Sequence, residues 1–421
     1  MYFQTPGEKI KEIRKLLGIR QSDLENIGVT RNFISMVEGN RRRLGEEQAR
    51  VMFQIFLKKA DELGLTLDID CDYLSTSPKK AALIYCSKKL LEDLSNDEID
   101  YILKISLEYS LHQIQAEAYI LKANRVFDKG IYKEAFVYYY NALDLYNEIK
   151  EHDKNAFLYN KLGKCKGNTL DYLEALKYFE KSYQNALDIG DISTQNNSLY
   201  NIALCNKKLG NIENALKSIN EVIDVFYKEN DFTNFISAII IKANCLLAIK
   251  EYQQAIDLYN EIIPVFTDET HCLLGYVYHN LGLIYLEKGM LEEALLCYNR
   301  AITIRELSNP SKLARTQIEK AKVFMKFKMY EQATNMTKNA IETAKQYNDT
   351  EFIIDGYYQL EKIYDETNRL DLMEEVYLNL IELLEGIDKK DDKIKIYIKL
   401  SLLTKYDPYK YEEYLKKAVD L

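Results

Sequence analysis

The stretch Tyr278-His279-Asn280-Leu281-Gly282-Leu283-Ile284-Tyr285, with Gly289, Ala294-Leu295 and Tyr298 to Ala301 behind it, decides the fold. It holds two small residues, Gly282 and Ala294, twelve apart with a turn at Gly289 between them. The same trio recurs along the chain. Ala135, Ala175, Ala215, Ala255, Ala294 and Ala333 are separated by 40, 40, 40, 39 and 39 residues, and twelve residues before each lies Ala123, Gly163, Ala203, Ala243, Gly282 or Ala321. Turns read at Gly130, Asn168, Gly210, Lys250, Gly289 and Lys328. Each leads into an apolar or aromatic residue: Tyr132, Tyr172, Ile212, Tyr252, Leu291 or Tyr330. A small residue at a helix crossing lets two helices approach where a larger side chain would hold them apart. A single helical pair cannot bury its own apolar faces, so units of this kind stack.

The pattern resembles the tetratricopeptide repeat, with a period longer than that family's usual ~34 residues and helices correspondingly longer. The expected architecture is all-α: an N-terminal helix-turn-helix domain followed by a tetratricopeptide-like α-solenoid, a right-handed superhelix. Clear repeats are expected over about 116–345, with a C-terminal cap at 351–421 where Leu360, Tyr364, Asn368 and Leu370 continue the trend. Pro78 to Leu111 reads as an opening pair, with Ser95 and Glu98 spaced as a capping box. Cys165, Cys205 and Cys245 share one repeat position. They fit small buried packing better than a redox or metal ladder. Pro264 should kink or end its helix.

Composition narrows the function. Only 5 Pro and 16 Gly in 421 residues favour long helices, and 34 Tyr with no Trp imply many half-buried aromatic positions. The net charge of −9 argues against whole-surface binding to nucleic acid or anionic lipid. Seven Cys without a CxxC pair and four scattered His suggest neither a disulfide framework nor a metal site. No phosphate-loop, dinucleotide, nucleophile-elbow or zincin motif occurs. The adjacent pairs Glu292-Glu293 and Glu374-Glu375 point to different helix faces and cannot share a substrate. No enzyme, cofactor or metal is therefore expected. No apolar run reaches the roughly 20 residues of a membrane span, and the N-terminus lacks a signal-peptide core, so a cytoplasmic protein is expected.

Residues 1–65 read as a separate DNA-binding head. Pro6-Gly7 open a helix with Ile10, Ile13, Leu16 and Leu17 at helical spacing, and a short second helix begins at Gln21-Ser22-Asp23-Leu24. Gly28 makes a turn, Thr30 is a good N-cap, and a third helix runs from Arg31 to a Gly39-Asn40 stop. Ile34 and Val37 face inward, leaving Arg31, Asn32 and Ser35 outward near the helix start, where a recognition helix presents side chains to base edges. Residues 1–43 carry nine Lys and Arg against five Asp and Glu, a net of +4 that leaves −13 on the remainder. Arg41-Arg42-Arg43 follow the third helix as phosphate contacts.

Gln21-x-x-Leu24, Gly28-Val29-Thr30-Arg31 and Ile34-Ser35-x-Val37-Glu38-x-Asn40 resemble the Cro/C1-type helix-turn-helix family, with a Gln-to-Gly interval one residue shorter than usual there. The resemblance implies that Gln21 caps the second helix and touches phosphate, that Arg31 and Asn32 read bases, and that Ser35 with Asn40 holds the DNA backbone. Glu38 is expected to pair within the domain.

A head of this type before repeats of this size resembles the peptide-responsive RRNPP regulators of Gram-positive bacteria. That resemblance implies a homodimer on a palindromic double-stranded operator and a short linear signalling peptide, a cell-density signal, in the concave groove. On the first helix of each pair the groove positions are Asn124, Asn160, Lys164, Tyr200, Asn201, Asn244, His279, Asn280 and Lys322, with Tyr276 and Arg315 a turn earlier. Asn offers donor and acceptor to a peptide main chain, and Lys164, Arg315 and Lys322 could receive a carboxylate. Residues 66–80 read as a linker, with Thr66 to Asp70 a short extended segment setting head spacing in the dimer and Ser77 capping the helix opened by Pro78. The alternative function is a protein-interaction scaffold that sequesters a partner such as a sporulation phosphorelay protein.

Overall fold

A computed structural model describes residues 2–25, 29–70, 72–228, 231–385 and 390–421, and 21 α-helices follow one another among them. The turn expected at Gly28 lies outside the described residues. The chain divides into two compact units, Met1–Leu209 and Gly210–Leu421.

The first unit opens with α1 (Pro6–Leu16), a 3-10 turn (Gln21–Leu24), α2 (Arg31–Glu38) and α3 (Glu46–Glu62). These close around Ile10, Leu24, Ile34, Met52 and Phe56, all fully buried. Then come α4 (Pro78–Lys89), α5 (Asn96–Glu108), α6 (His112–Asp128), α7 (Tyr132–Glu148), α8 (Asn155–Asn168), α9 (Tyr172–Ile189) and α10 (Ile192–Lys208). The second unit holds α11 (Ile212–Lys228), α12 (Phe232–Ala248), α13 (Tyr252–Ile262), α14 (Cys272–Glu287), α15 (Leu291–Ser308), α16 (Leu313–Lys326) and α17 (Tyr330–Gln346). It ends with α18 (Thr350–Glu366), α19 (Leu370–Glu385), α20 (Lys390–Leu403) and α21 (Pro408–Asp420).

The period is built into the backbone. The residue two before each second helix is left-handed at Gly130, Leu170, Gly210, Lys250, Gly289 and Lys328, with φ between 56° and 80°. In the second repeat this corrects the sequence reading: α8 runs through Asn168, and the left-handed residue is Leu170, despite its steric cost for a side chain with a Cβ. Asn368, with φ 53°, carries the same device into α18 and α19. The small residues perform the expected role. A Cβ on Gly163 would lie 2.7 Å from the Phe179 ring, and one on Gly282 would lie 2.6 Å from the Tyr298 ring. The second-helix aromatic thus occupies the space that a side chain on the first helix would need.

Other local expectations are met. Ser77 accepts from the Lys80 amide and Ser95 with Glu98 forms a capping box. Pro264 ends α13 and leaves a 3-10 turn at Ile263–Val265. Cys165, Cys205 and Cys245 are buried, and burial pushes the Cys165 thiol up to about 12 and the Cys205 thiol up to about 11, as suits packing residues.

Residues 66–70 and 72–76 do not run free of the head. Leu74 is fully buried in the head core with Leu67, Ile69 and Tyr73 against it, and the Lys9 Nζ donates to the carbonyls of Tyr73 at 3.0 Å and Thr76 at 2.8 Å. Phe3 reaches the other way, its ring 5.8 Å from that of Tyr85 on α4 and 5.5 Å from that of Tyr109 after α5.

Candidate functional site

In the head, Thr30 caps α2 by accepting from the Phe33 amide, and Asn40 ends it in the left-handed region with φ 56°. The Arg41 amide bonds back to the Met36 carbonyl and the Asn40 amide to that of Val37, a Schellman closure that delivers Arg41 to Arg43 at the helix end. Phe33, Ile34, Val37 and Glu38 are buried, while Arg31, Asn32, Ser35, Asn40, Arg41, Arg42 and Arg43 are exposed. Arg42 stacks on the Phe33 ring at 4.9 Å. Glu38 takes a forked pair from Arg14, Nε to Oε1 at 2.6 Å and Nη2 to Oε2 at 3.0 Å. The Gln21 amide adds a third donor at 2.9 Å. Burial raises the Glu38 carboxyl, but the bonds from Arg14 and Gln21 outweigh it and the net shift is downward. Gln21 therefore ties the 3-10 turn to α2 through its side chain. That differs from capping, because its amide nitrogen is already committed to a buried carboxylate.

The residues expected in a groove fall, in the first unit, into two groups. Asn124 is half-buried, and its Oδ1 accepts from the Tyr139 hydroxyl at 2.5 Å; Tyr200, Asn201 and Lys164 are half-buried too. Burial, then the nearby Lys161, pulls the Lys164 ammonium below its usual range. Asn160 is buried and donates to Ser198 Oγ at 3.1 Å, so it pins α8 to α10.

The second unit repeats this division. Asn244 is half-buried, its Oδ1 accepting from the Tyr259 hydroxyl at 3.1 Å, and the buried Asn280 donates to that same hydroxyl at 3.1 Å. Tyr276 is half-buried, Arg315 is exposed, and Lys322 pairs with Glu319 at 2.6 Å. His279 is only 1% exposed, with Nδ1 3.2 Å from Thr316 Oγ1. Burial, then Arg305, Arg315 and Lys322, pushes its pKa well down, so the ring is neutral. Arg305 itself is 1% exposed. Its Nη1 donates to the Lys312 carbonyl at 2.9 Å and to Thr316 Oγ1, and its guanidinium carbon lies 5.0 Å from the Tyr276 ring centre. Among the described residues no three His, Cys, Asp or Glu side chains converge as a metal site, and no helix is long and apolar enough to cross a membrane.

Tetratricopeptide-repeat family profiles match residues 236–306 and 197–227. The transcriptional activator NprA of Geobacillus stearothermophilus is 23% identical over 353 residues, which is 79% of this chain and 80% of that one. The apo quorum sensor NprR from B. thuringiensis superposes with a TM-score of 0.56 at 20% identity, over 81% of this chain and 97% of that one. This is the fold of NprR. The structure of NprR with its cognate peptide NprX gives 0.51 at 19% identity over the same shares. A Rap protein bound to competence and sporulation factor also gives 0.51, at 13% identity, over 81% of this chain and 96% of that one. The all-α tetratricopeptide-like repeat fold expected from the sequence is borne out by these matches.

On the NprR-like fold, the residue that sequence reading passed over is Arg305. It stands eleven after its repeat alanine, where the other repeats carry Tyr146, Ala186, Phe226, Phe266 and Ala344. Facing it is Gly275, where they carry Ala116, Ala156, Asn196, Ile236 and Ala314; a Cβ there would stand 3.2 Å from Arg305 Cγ. A cation in an apolar column was the signal available, visible once that column is read along with the alanines.

Proposed function

We propose that this protein is a cytoplasmic, sequence-specific DNA-binding regulator. It acts as a homodimer on a palindromic operator under control of a short linear peptide. One observation carries the reading: a single chain joins the outward start of α2, with Arg31, Asn32 and Ser35 exposed, to repeats with the fold of NprR. Arg31 and Asn32 are the types that read guanine and adenine edges, and Arg41 to Arg43 supply phosphate contacts. Asn124 and Asn244 have their carbonyl oxygens held by Tyr139 and Tyr259, which leaves the amide hydrogens as donors for a peptide main chain. NprR has been solved with its peptide, which supports extending that ligand class to this chain.

The test is selection of bound sequences from a random duplex library, followed by titration of the winning duplex against a heptapeptide pool. A palindromic winner whose affinity changes about 5- to 150-fold with retained peptide is the expected result. Absence of any selected sequence, with and without peptide, overturns the reading. The Rap likeness favours the scaffold alternative in fold, and capture of a defined phosphorelay protein without operator selection would decide for it.

A further inference from the structure

We propose that Arg305, together with His279, forms a carboxylate-anchoring site for the bound peptide. The inference rests on the peptide reading above and adds a ligand chemistry to it. Arg305 Nε and Nη2 and His279 Nε2 are buried and have no hydrogen-bond partner among the described residues. Arg305 Nη1 donates to Thr316 Oγ1, so the threonine hydroxyl proton is free to go to His279 Nδ1. With Nδ1 accepting, the neutral imidazole carries its hydrogen on Nε2. The vacant groups are therefore all donors: two on one edge of a guanidinium and one on the imidazole gathered at the same threonine. Donors without an acceptor specify an anion.

The head shows what that edge takes. Arg14 uses the same Nε and Nη2 pair to hold the Glu38 carboxylate at 2.6 and 3.0 Å. The neighbourhood of Arg305 is cationic: Arg315 and Lys322 both act on His279, and Glu319 is committed to Lys322. A buried cation without a counter-charge is costly, and a packed apolar residue serves this position in other repeats. The half-buried Tyr276, stacked on the guanidinium, is the cover that the incoming carboxylate displaces. The carboxylate comes from an acidic side chain or from the peptide C-terminus.

Three heptapeptide pools separate these sources on the immobilised full chain, read by mass spectrometry. One contains Asp and Glu with an amidated C-terminus, one lacks acidic residues but keeps a free C-terminus, and one lacks both. The site predicts retention of the first or the second over the third by about tenfold or more, the worth of a forked charge-assisted pair. Arg305→Met should reduce that preference to near parity while still retaining the third pool. Arg305→Lys keeps the charge without the fork and should keep only part of the preference. Equal retention of all three pools by the wild-type chain overturns the site and leaves the peptide reading standing, as does an undiminished preference in both variants. Retention of no pool overturns the peptide reading itself, and the site with it.

Discussion

The Tyr259 hydroxyl donates to Asn244 Oδ1 at 3.1 Å and so fixes, from a second helix, the orientation of an amide on a first helix. Asn280 on the next first helix donates to the same oxygen, so one phenol links α12, α13 and α14. Tyr259→Phe removes both bonds and leaves the Asn280 amide buried without its partner. The expected cost is about 1–3 kcal/mol in urea unfolding. Peptide affinity should fall as well, because Asn244 is released to rotate. A variant as stable as the parent would show that the phenol is not the pin.

Gly282→Ala tests the packing rule of the repeat. Alanine should gain up to about 1 kcal/mol in helix propensity, yet the new Cβ would stand 2.6 Å from the Tyr298 ring, and overpacking costs about 1–3 kcal/mol. Net destabilisation is expected. Tyr298→Leu in the Gly282→Ala background should recover part of it in a double-mutant cycle, because the ring is the obstacle. Additive losses from the two changes would contradict this.

His279 sets a pH dependence. Its folded pKa lies below the ordinary value, so the unfolded chain binds the extra proton first as pH falls. The stabilisation is complete above about pH 6.5, the ordinary histidine value, and is lost progressively below it. The melting temperature should therefore drop between pH 7.5 and about 5.5, and His279→Gln should flatten that slope. An unchanged slope in the variant would assign the effect to another group.

Arg14→Met should destabilise the head by about 3 kcal/mol, since it strands the Glu38 carboxylate, whose side chain is only 5% exposed. Glu38 is held below its ordinary range, so its contribution is present above that range and is lost as pH falls through the lowered value. Proteolysis of the head across an acid titration measures both effects. Equal susceptibility of parent and variant near neutral pH would show that the pair contributes nothing.

The repeat was legible because the same alanine and the same left-handed turn return every 39 or 40 residues, and both leave marks in residue size. Leu170 escaped because no rule of composition nominates leucine for a left-handed position; only the column of turns does. The head helix was legible from Thr30 and Asn40, whose side chains suit a cap and a stop. Gln21 was placed at the right helix start, but its bond to Glu38 depends on two segments meeting. The groove residues were nominated by register alone. Register does not separate a half-buried Asn244 from a buried Asn280, because the difference lies in which neighbouring helix covers the amide.

Selection from a random duplex library with the parent chain and with Arg31→Ala/Asn32→Ala tests the central claim most directly. Both side chains are exposed, so the double variant should fold and keep salt-sensitive affinity through Arg41 to Arg43 while losing the enriched palindrome. The same palindrome enriched by both proteins would contradict base reading by α2.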